Sequence, residues 1–252
     1  MRKTVKVIGK GEAYWKRHLP ALKALEIEES DSANIYVIAT PNYLHVPLAL
    51  YALAKGKEVL LEKPIATSLK DALLLTEHPL ANKIGVCYQR RFDTQAQVIK
   101  KLKDIQRIDC VMHVRRDDYY WNSWRKDKEK SGGGALINIF IHYFDLLQWW
   151  LGKKYEITFA KIAEKDGVDQ SMYVEMDFNG IPVTFEGSSI HADRKTEVKV
   201  QTKNKTISYN KEDASHEDIY REFIKGNKIS VKDAFTSLQI VYDIYHYTNS
   251  TS

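Results

Sequence analysis

Residues 4–42 read TVKVIGKGEAYWKRHLPALKALEIEESDSANIYVIATPN, and the spacing inside them decides the fold. Thr4 to Ile8 is a short β-rich run that stops at Gly9-Lys10-Gly11. Tyr14 to Leu25 follows, with Trp15, Leu19, Leu22 and Leu25 close to helical spacing. Ile35 to Ala39 is a continuous apolar run, as expected of a parallel strand covered on both faces, and it stops at Thr40-Pro41-Asn42. Strand, glycine turn, helix and strand in that order open a dinucleotide-binding unit. Glycines there let the backbone bend tightly and let a pyrophosphate approach the amides of the helix N-terminus. Tyr14 stands at the third position of G-x-G-x-x-G, so the match is partial, and an ordinary glycine turn has the same pattern.

The next segment is short. A complete unit carries a second strand that ends in Asp or Glu about 20 residues on, where it grips a ribose. Here only LEIEESDSA (Leu25 to Ala33) separates the helix from the next parallel strand. A parallel crossover needs about a dozen residues. EIEES is therefore expected to be a polar connecting loop, with the usual second and third strands deleted. Glu28, Glu29 and Asp31 then lie away from the usual ribose position.

Alternation continues downstream. Val46 to Ala54 is helical in pattern with Gly56 as its stop, and Glu58 to Leu61 is a strand. Ser68 to Thr76 is a helix with Ser68 as N-cap and Asp71 three residues on, and Lys83 to Tyr88 is another strand. Such alternation implies a parallel α/β sheet. After about residue 90 the texture changes. A helix (Thr94 to Leu102) and a strand (Arg107 to Arg115) precede a polar, aromatic, glycine-rich loop from Asp117 to Gly134. A strongly apolar helix covers Ala135 to Leu151, and several alternating runs fill Tyr155 to Tyr209, with Asn179-Gly180 as a hairpin signal. Helices over His216 to Lys225 and Val231 to Tyr247 close the chain. The fold class expected is α/β: a shortened Rossmann-like parallel sheet over 1–91, then an α+β domain with a mainly antiparallel sheet over 92–252. The C-terminal helix is expected to pack back on the first domain.

Bulk properties exclude several classes. Among 252 residues, 44% are hydrophobic and 28% charged, a globular composition. No apolar run approaches the roughly 20 residues that span a bilayer. The N-terminus lacks the apolar core of a signal peptide. Cys87 and Cys110 sit in apolar contexts without ligand spacing, which reads as buried thiols in a reducing, cytoplasmic setting. The net charge of +5 is spread out and no nucleic-acid motif is present, so a small anionic ligand is a better fit than nucleic acid. No His, Cys or carboxylate spacing suggests a metal, and no G-x-S-x-G nucleophile turn occurs.

Two places carry candidate chemistry. In VLLEKPIATS (59–68), Pro64 biases Lys63 toward an extended conformation and ends the strand. Lys63 thus stands at the carboxyl edge of the sheet, where open α/β folds bind ligands. Partly desolvated, it could serve as an acid or base, or stay charged and polarise a hydroxyl. A surface lysine paired with Glu62 fits the same spacing. In GGGALINIFIHYFDLLQWWLG, Asn138 and His142 are i and i+4 on one face. Asp145, three residues beyond His142, could hydrogen-bond its ring, and a core histidine satisfied by a neighbour is the other reading.

Together, GxG, ATPNYLH, LLEKP, KSGGG and NIFIHYFD, in that order, resemble the glucose–fructose oxidoreductase / inositol dehydrogenase (Gfo/Idh/MocA) family over nearly the whole chain. WNSWRKDKEKSGGG further resembles the branch that oxidises C3 of UDP-N-acetylglucosaminuronate in bacterial surface-polysaccharide synthesis. The resemblance implies NAD or NADP as cofactor, a nucleotide-sugar substrate, and a homo-oligomer through the second-domain sheet. It places Lys63, Asn138 and His142 around the reacting carbon. Lys63 or His142 would accept the hydroxyl proton, Asn138 would orient the sugar, and Asp145 would support His142. Gly9, Gly11, Thr40, Pro41, Asn42, His45, Glu62 and Pro64 would serve the cofactor, with a cis Lys63–Pro64 peptide. Arg91, Trp121, Trp124, Arg125, Asp127 and Lys130 become candidates for the nucleotide sugar. Aromatic residues there would equally serve packing or oligomer contacts. Phe140 stands where the branch often has a small residue and is expected to narrow the pocket. A homologue that binds a sugar or a protein without turnover is the alternative.

Overall fold

The computed structural model describes residues 4–210 and 215–250. Strand β1 (Thr4–Ile8) belongs to a parallel sheet with the order β2-β1-β3-β4-β5, where β2 is Glu28–Glu29, β3 Ile35–Ile38, β4 Glu58–Leu61 and β5 Ile84–Val86. Val5, Val37, Val59, Leu60 and Leu61 are buried, as apolar runs covered on both faces require. The connecting helices are α1 (Leu19–Ala24), α2 (His45–Ala54) and α3 (Leu69–Thr76). Ser68 caps α3 by accepting from the Asp71 amide at 3.0 Å.

Two sequence expectations are corrected here. Glu28 and Glu29 are not merely loop: they pair in parallel with Thr4 and Val5. Crossover length limits how far such a strand can climb, not whether it starts. Glu29 and Ile35 both lie level with Val5, on opposite sides of β1, so the five residues between need only pass beneath β1. What is lost is the upper part of the second strand. The first helix also differs. It opens with a π turn over Tyr14–His18, which changes its phase. Tyr14 and His18 therefore face inward and Trp15 is 60% exposed, against the Trp15 stripe read from 3.6-residue spacing.

Past residue 90 come α4 (Thr94–Lys100), β6 (Ile105–His113), the four-residue helices α5 (Asp118–Trp121) and α6 (Lys128–Ser131), and α7 (Ile141–Leu151). Strands β7 (Glu156–Lys165), β8 (Val168–Phe178), β9 (Ile181–Ser188), β10 (Lys195–Thr202) and β11 (Thr206–Tyr209) join β6 in a sheet of order β11-β10-β6-β9-β8-β7. Only the β6–β9 pair among them is parallel. Asn179 and Gly180 both have positive φ, +56° and +86°, and join β8 to β9 in the expected tight hairpin. Two helices close the chain, α8 (His216–Lys225) and α9 (Val231–Ser250). Their residues divide between two compact units, Met1–Gln89 with Ala214–Phe235 and Arg90–Asp213 with Thr236–Ser252. Within the first, Gly85 of β5 leaves room for α8: a Cβ there would sit 2.7 Å from the Phe223 ring. Among the described residues no helix is long and apolar enough to cross a membrane.

Phe140 also departs from expectation. It is fully buried against β9, where a Cβ on Gly187 would come within 2.8 Å of its ring, and its centroid lies 5.8 Å from that of Phe185. The small residue opposite accommodates the large one, so Phe140 fills core rather than narrowing a pocket.

Candidate functional site

In the first unit the candidate residues gather at the carboxyl ends of β1, β3 and β4. Gly9 follows β1 at φ +95°, and a Cβ on it would lie 2.5 Å from the Ala39 carbonyl oxygen, so both conformation and space demand glycine. Gly11 faces open space at the start of the helical segment, with nothing within 4 Å of where a Cβ would stand. Beside Gly9, the Thr40 hydroxyl is buried and meets no hydrogen-bond partner. Strands β2 and β3 leave β1 on opposite sides, which makes this edge a topological switch point, the usual ligand crevice of open α/β sheets. An open glycine turn and an orphaned hydroxyl there fit a dinucleotide, with Gly9, Gly11 and Thr40 as the residues that would hold it.

Asn42 and His45 are buried after Pro41. His45 Nδ1 lies 2.6 Å from the Pro64 carbonyl oxygen and Nε2 lies 3.0 Å from that of Thr40. Burial lowers the His45 pKa despite both carbonyls, which favours the neutral ring. The Lys63–Pro64 peptide is cis, as the resemblance implied. Glu62, still on the sheet ladder through its amide to Ile38 O at 3.0 Å, turns its carboxylate inward. His18 Nε2 at 3.2 Å and His216 Nε2 at 3.0 Å both meet its Oε1, and the Lys63 amide donates to Oε2 at 3.2 Å. Burial alone would raise the Glu62 pKa; the two imidazole hydrogen bonds overcome it and hold the carboxyl well below its usual range. Glu62 therefore stands beneath Lys63 in a buried network.

His18, His216 and Tyr220, whose hydroxyl lies 2.9 Å from His18 Nδ1, were missed by sequence reasoning. Long separations hid them, and the phase change in the first helix hid the inward face of His18. The three donor atoms of His18, Glu62 and His216 lie within 4.8 Å of one another, a grouping that local ligand spacing could not reveal.

Glu29 also moves from its expected place. Its carboxylate accepts from the Tyr14 hydroxyl and pairs with Lys10 Nζ at 3.2 Å, so the short β2 still delivers an acid to the glycine turn.

In the second unit, Asn138 lies in a π turn (Leu136–Phe140) and donates through Nδ2 to the carbonyls of Gly133 and Gly134 at 2.9 and 2.8 Å. His142 follows on α7 and is 7% exposed. Such π turns recur at functional sites. The segment is anchored by Asp169, another residue missed from sequence. Its oxygens accept from the Gly134 and Leu136 amides at 2.6 and 2.7 Å and from the Tyr245 hydroxyl at 2.7 Å. A Cβ on Gly134 would lie 2.0 Å from the Asp169 carbonyl oxygen, which explains the glycine run. A buried Asp inside an alternating strand was the available signal.

Asp145, expected to support His142, is bound by residues from three other positions. Arg91 donates to it through Nε at 2.8 Å and Nη2 at 2.7 Å, and Gln148 and Ser237 donate to Oδ1, each at 3.2 Å. A guanidinium edge offers a carboxylate two parallel charge-assisted hydrogen bonds. Arg91, expected at the nucleotide sugar, gives this guanidinium edge to Asp145. Trp121 is buried, and its indole Nε1 meets no acceptor. Arg125 lies over the rings of Tyr120 and Trp124, 4.3 and 4.7 Å from their centroids. Asp127 caps α6 and pairs with Lys130 at 2.8 Å.

A parallel sheet with a glycine turn at its switch point, in a chain that continues into a mixed sheet, defines a dinucleotide-binding architecture. The chain belongs to the Gfo/Idh/MocA family: residues 5–91 match its oxidoreductase, NAD-binding Rossmann-fold model and residues 100–208 its C-terminal-domain model. Similar proteins include glucose-6-phosphate 3-dehydrogenase of Bacillus subtilis, 27% identical over 70% of this chain and 49% of that protein. The chain spans about half the length, or less, of the first curated relatives it matches. In fold it is similar to the WlbA dehydrogenase of Bordetella pertussis, solved with NADH and UDP-GlcNAcA (TM-score 0.87, 18% identity, 100% of this chain and 98% of that one). It is also similar to a putative myo-inositol dehydrogenase of Sinorhizobium meliloti (TM-score 0.81, 14% identity, 99% and 98% covered).

Proposed function

We propose that this protein is an NAD(P)-dependent dehydrogenase of a nucleotide-linked sugar, oxidising the C3 hydroxyl of a UDP-linked N-acetyl-aminouronic acid in cytoplasmic steps of surface-polysaccharide synthesis. The nicotinamide supplies the hydride acceptor. Lys63 takes the hydroxyl proton, with His142 as the other candidate base, and Asn138 orients the sugar. One observation carries the reading: Lys63 leaves the carboxyl edge of β4 between two tied neighbours, Glu62 bound by two imidazoles and Pro64 facing a third. A lysine held so firmly at a ligand edge is placed for chemistry rather than for solubility. Support for the substrate class comes from the similar fold solved with UDP-GlcNAcA. The sheet of the second unit, with Phe159 and Tyr173 exposed on β7 and β8, is the proposed homo-oligomer surface.

Absorbance at the nicotinamide band tests this, with NAD⁺ or NADP⁺ and a panel of UDP-sugars. Reduced cofactor should accumulate with a UDP-aminouronate, and Lys63→Ala should abolish turnover while retaining cofactor affinity. Unchanged kcat in Lys63→Ala would remove Lys63 from the chemistry. The truncated β2 favours the second reading, a sugar- or protein-binding homologue, and absence of turnover across the panel would decide for it.

A further inference from the structure

Three buried histidines converge on the chain around Lys63 from three different segments of the first unit. His18 closes the π turn of the first helix, His216 opens α8, and His45 opens α2. Their relative exposures are 0%, 5% and 1%, so each ring's contacts replace water rather than supplement it. His18 and His216 meet on one oxygen of Glu62, while the other oxygen accepts the Lys63 amide. Tyr220, one turn beyond His216 on the same helix, steadies the far nitrogen of His18. On the other side, His45 Nδ1 lies 2.6 Å from the Pro64 carbonyl, the shorter of its two carbonyl contacts and the one a neutral ring would donate to with its single N–H.

We propose that His18, His216 and His45 are positioning residues that clamp the backbone on both sides of Lys63, so that its side-chain amine is carried by one fixed strand end. The inference rests on the reading of Lys63 as proton acceptor, but it concerns the pose of the side chain and can be measured without turnover. Histidine suits the task because its two ring nitrogens can join partners on different elements. The charged groups nearest the network are Glu62 itself, Lys63 and Arg17, together with the buried Cys87 thiol and Tyr220 hydroxyl. A divalent cation on His18, Glu62 and His216 is the competing use of the same atoms, since two imidazoles and a carboxylate also form a zinc set.

The test uses ¹³C reductive methylation of the lysines in the intact protein, with the Lys63 signal identified by its loss in Lys63→Arg. Gln at position 18 or 216 places an amide N–H where Nε2 stood, whereas Asn falls short. His18→Asn and His216→Asn should shift the titration of the Lys63 signal and broaden it, and should lower kcat on the order of tenfold or more without changing NAD⁺ affinity. His18→Gln and His216→Gln should restore both signal and rate. Glu62→Gln, which keeps the shape and removes the accepted charge, should alter the Lys63 signal as the Asn variants do, whatever its effect on NAD⁺ affinity, and it decides the matter where an Asn variant does not fold. An unaltered Lys63 signal in folded Asn and Glu62→Gln variants overturns the proposal. So does one equivalent of tightly bound zinc that disappears in His216→Asn, because the imidazoles would then ligate the ion. Wild-type protein without turnover would count against the dehydrogenase reading alone, and the Lys63 signal would still decide this one.

Discussion

Replacing Asp145 by alanine should unfold the second unit far more easily than replacing its partner. Asp145 and Arg91 have side chains 1% and 9% exposed and share two hydrogen bonds of 2.7 and 2.8 Å. Asp145→Ala strands a guanidinium that cannot lose its proton, and takes the acceptor from the Ser237 hydroxyl, while Gln148 keeps its 2.8 Å bond to Ser237 Oγ. Breaking a buried pair from one side costs about 3–5 kcal/mol. At roughly 2–4 °C per kcal/mol for a unit of this size, the melting transition falls by about 6–20 °C. Arg91→Met strands a carboxyl, which can escape its burial by taking up a proton. Its loss should therefore be smaller, and should shrink further as pH is lowered. The double variant Arg91→Met/Asp145→Leu removes both charges and should recover most of the stability. Urea denaturation monitored by near-UV circular dichroism measures all three. A loss below about 1 kcal/mol in Asp145→Ala, or strict additivity in the double variant, would refute the assignment of this pair as a buried, mutually dependent unit.

Other perturbations follow from the same contacts. Asp169→Ala leaves the Gly134 and Leu136 amides and the Tyr245 hydroxyl without their acceptor, at about 1–3 kcal/mol for each buried group, and thermal denaturation should show a loss of several degrees. Phe140→Ala opens a cavity beside Gly187 and should cost about 3–5 kcal/mol in urea, and any substrate affinity should not rise, as it would if Phe140 narrowed a pocket. Burial lowers the pKa of His45 and His216, so the unfolded chain binds more protons than the folded one as pH falls below the ordinary histidine value of about 6.5. Stability of the first unit is thus complete above that pH and lost as pH drops through the depressed folded values. Glu62 adds a further loss of the same sign below the ordinary carboxylate range. A melting temperature independent of pH between 7 and about 4 would contradict these assignments.

The sequence made the parallel sheet legible because its strands are continuous apolar runs and its turns carry glycine or proline. Lys63 was legible for a related reason, since Pro64 marks where the strand ends. The hairpin at Asn179-Gly180 was readable from two residues, because both adopt positive φ. Distant partners were not readable. His216 meets Glu62 across 154 positions, and Asp169 meets Gly134 across 35, and no local periodicity encodes either. The first helix misled by one residue because its π turn departs from the 3.6-residue repeat on which the stripe was counted. Helical spacing correctly put Asp145 near His142 in sequence, yet it could not show that Arg91 would claim the carboxylate. The crossover rule removed the long second strand but not its first two residues.

Calorimetric titration with NADH bears most directly on the central claim, that the glycine turn and the carboxyl edge still form a dinucleotide site despite the short β2. Saturable binding of one NADH per chain, weakened by Gly9→Ala because its Cβ would strike the Ala39 carbonyl, is the expected result. No heat of binding with NADH up to millimolar concentration, from folded protein, would contradict it.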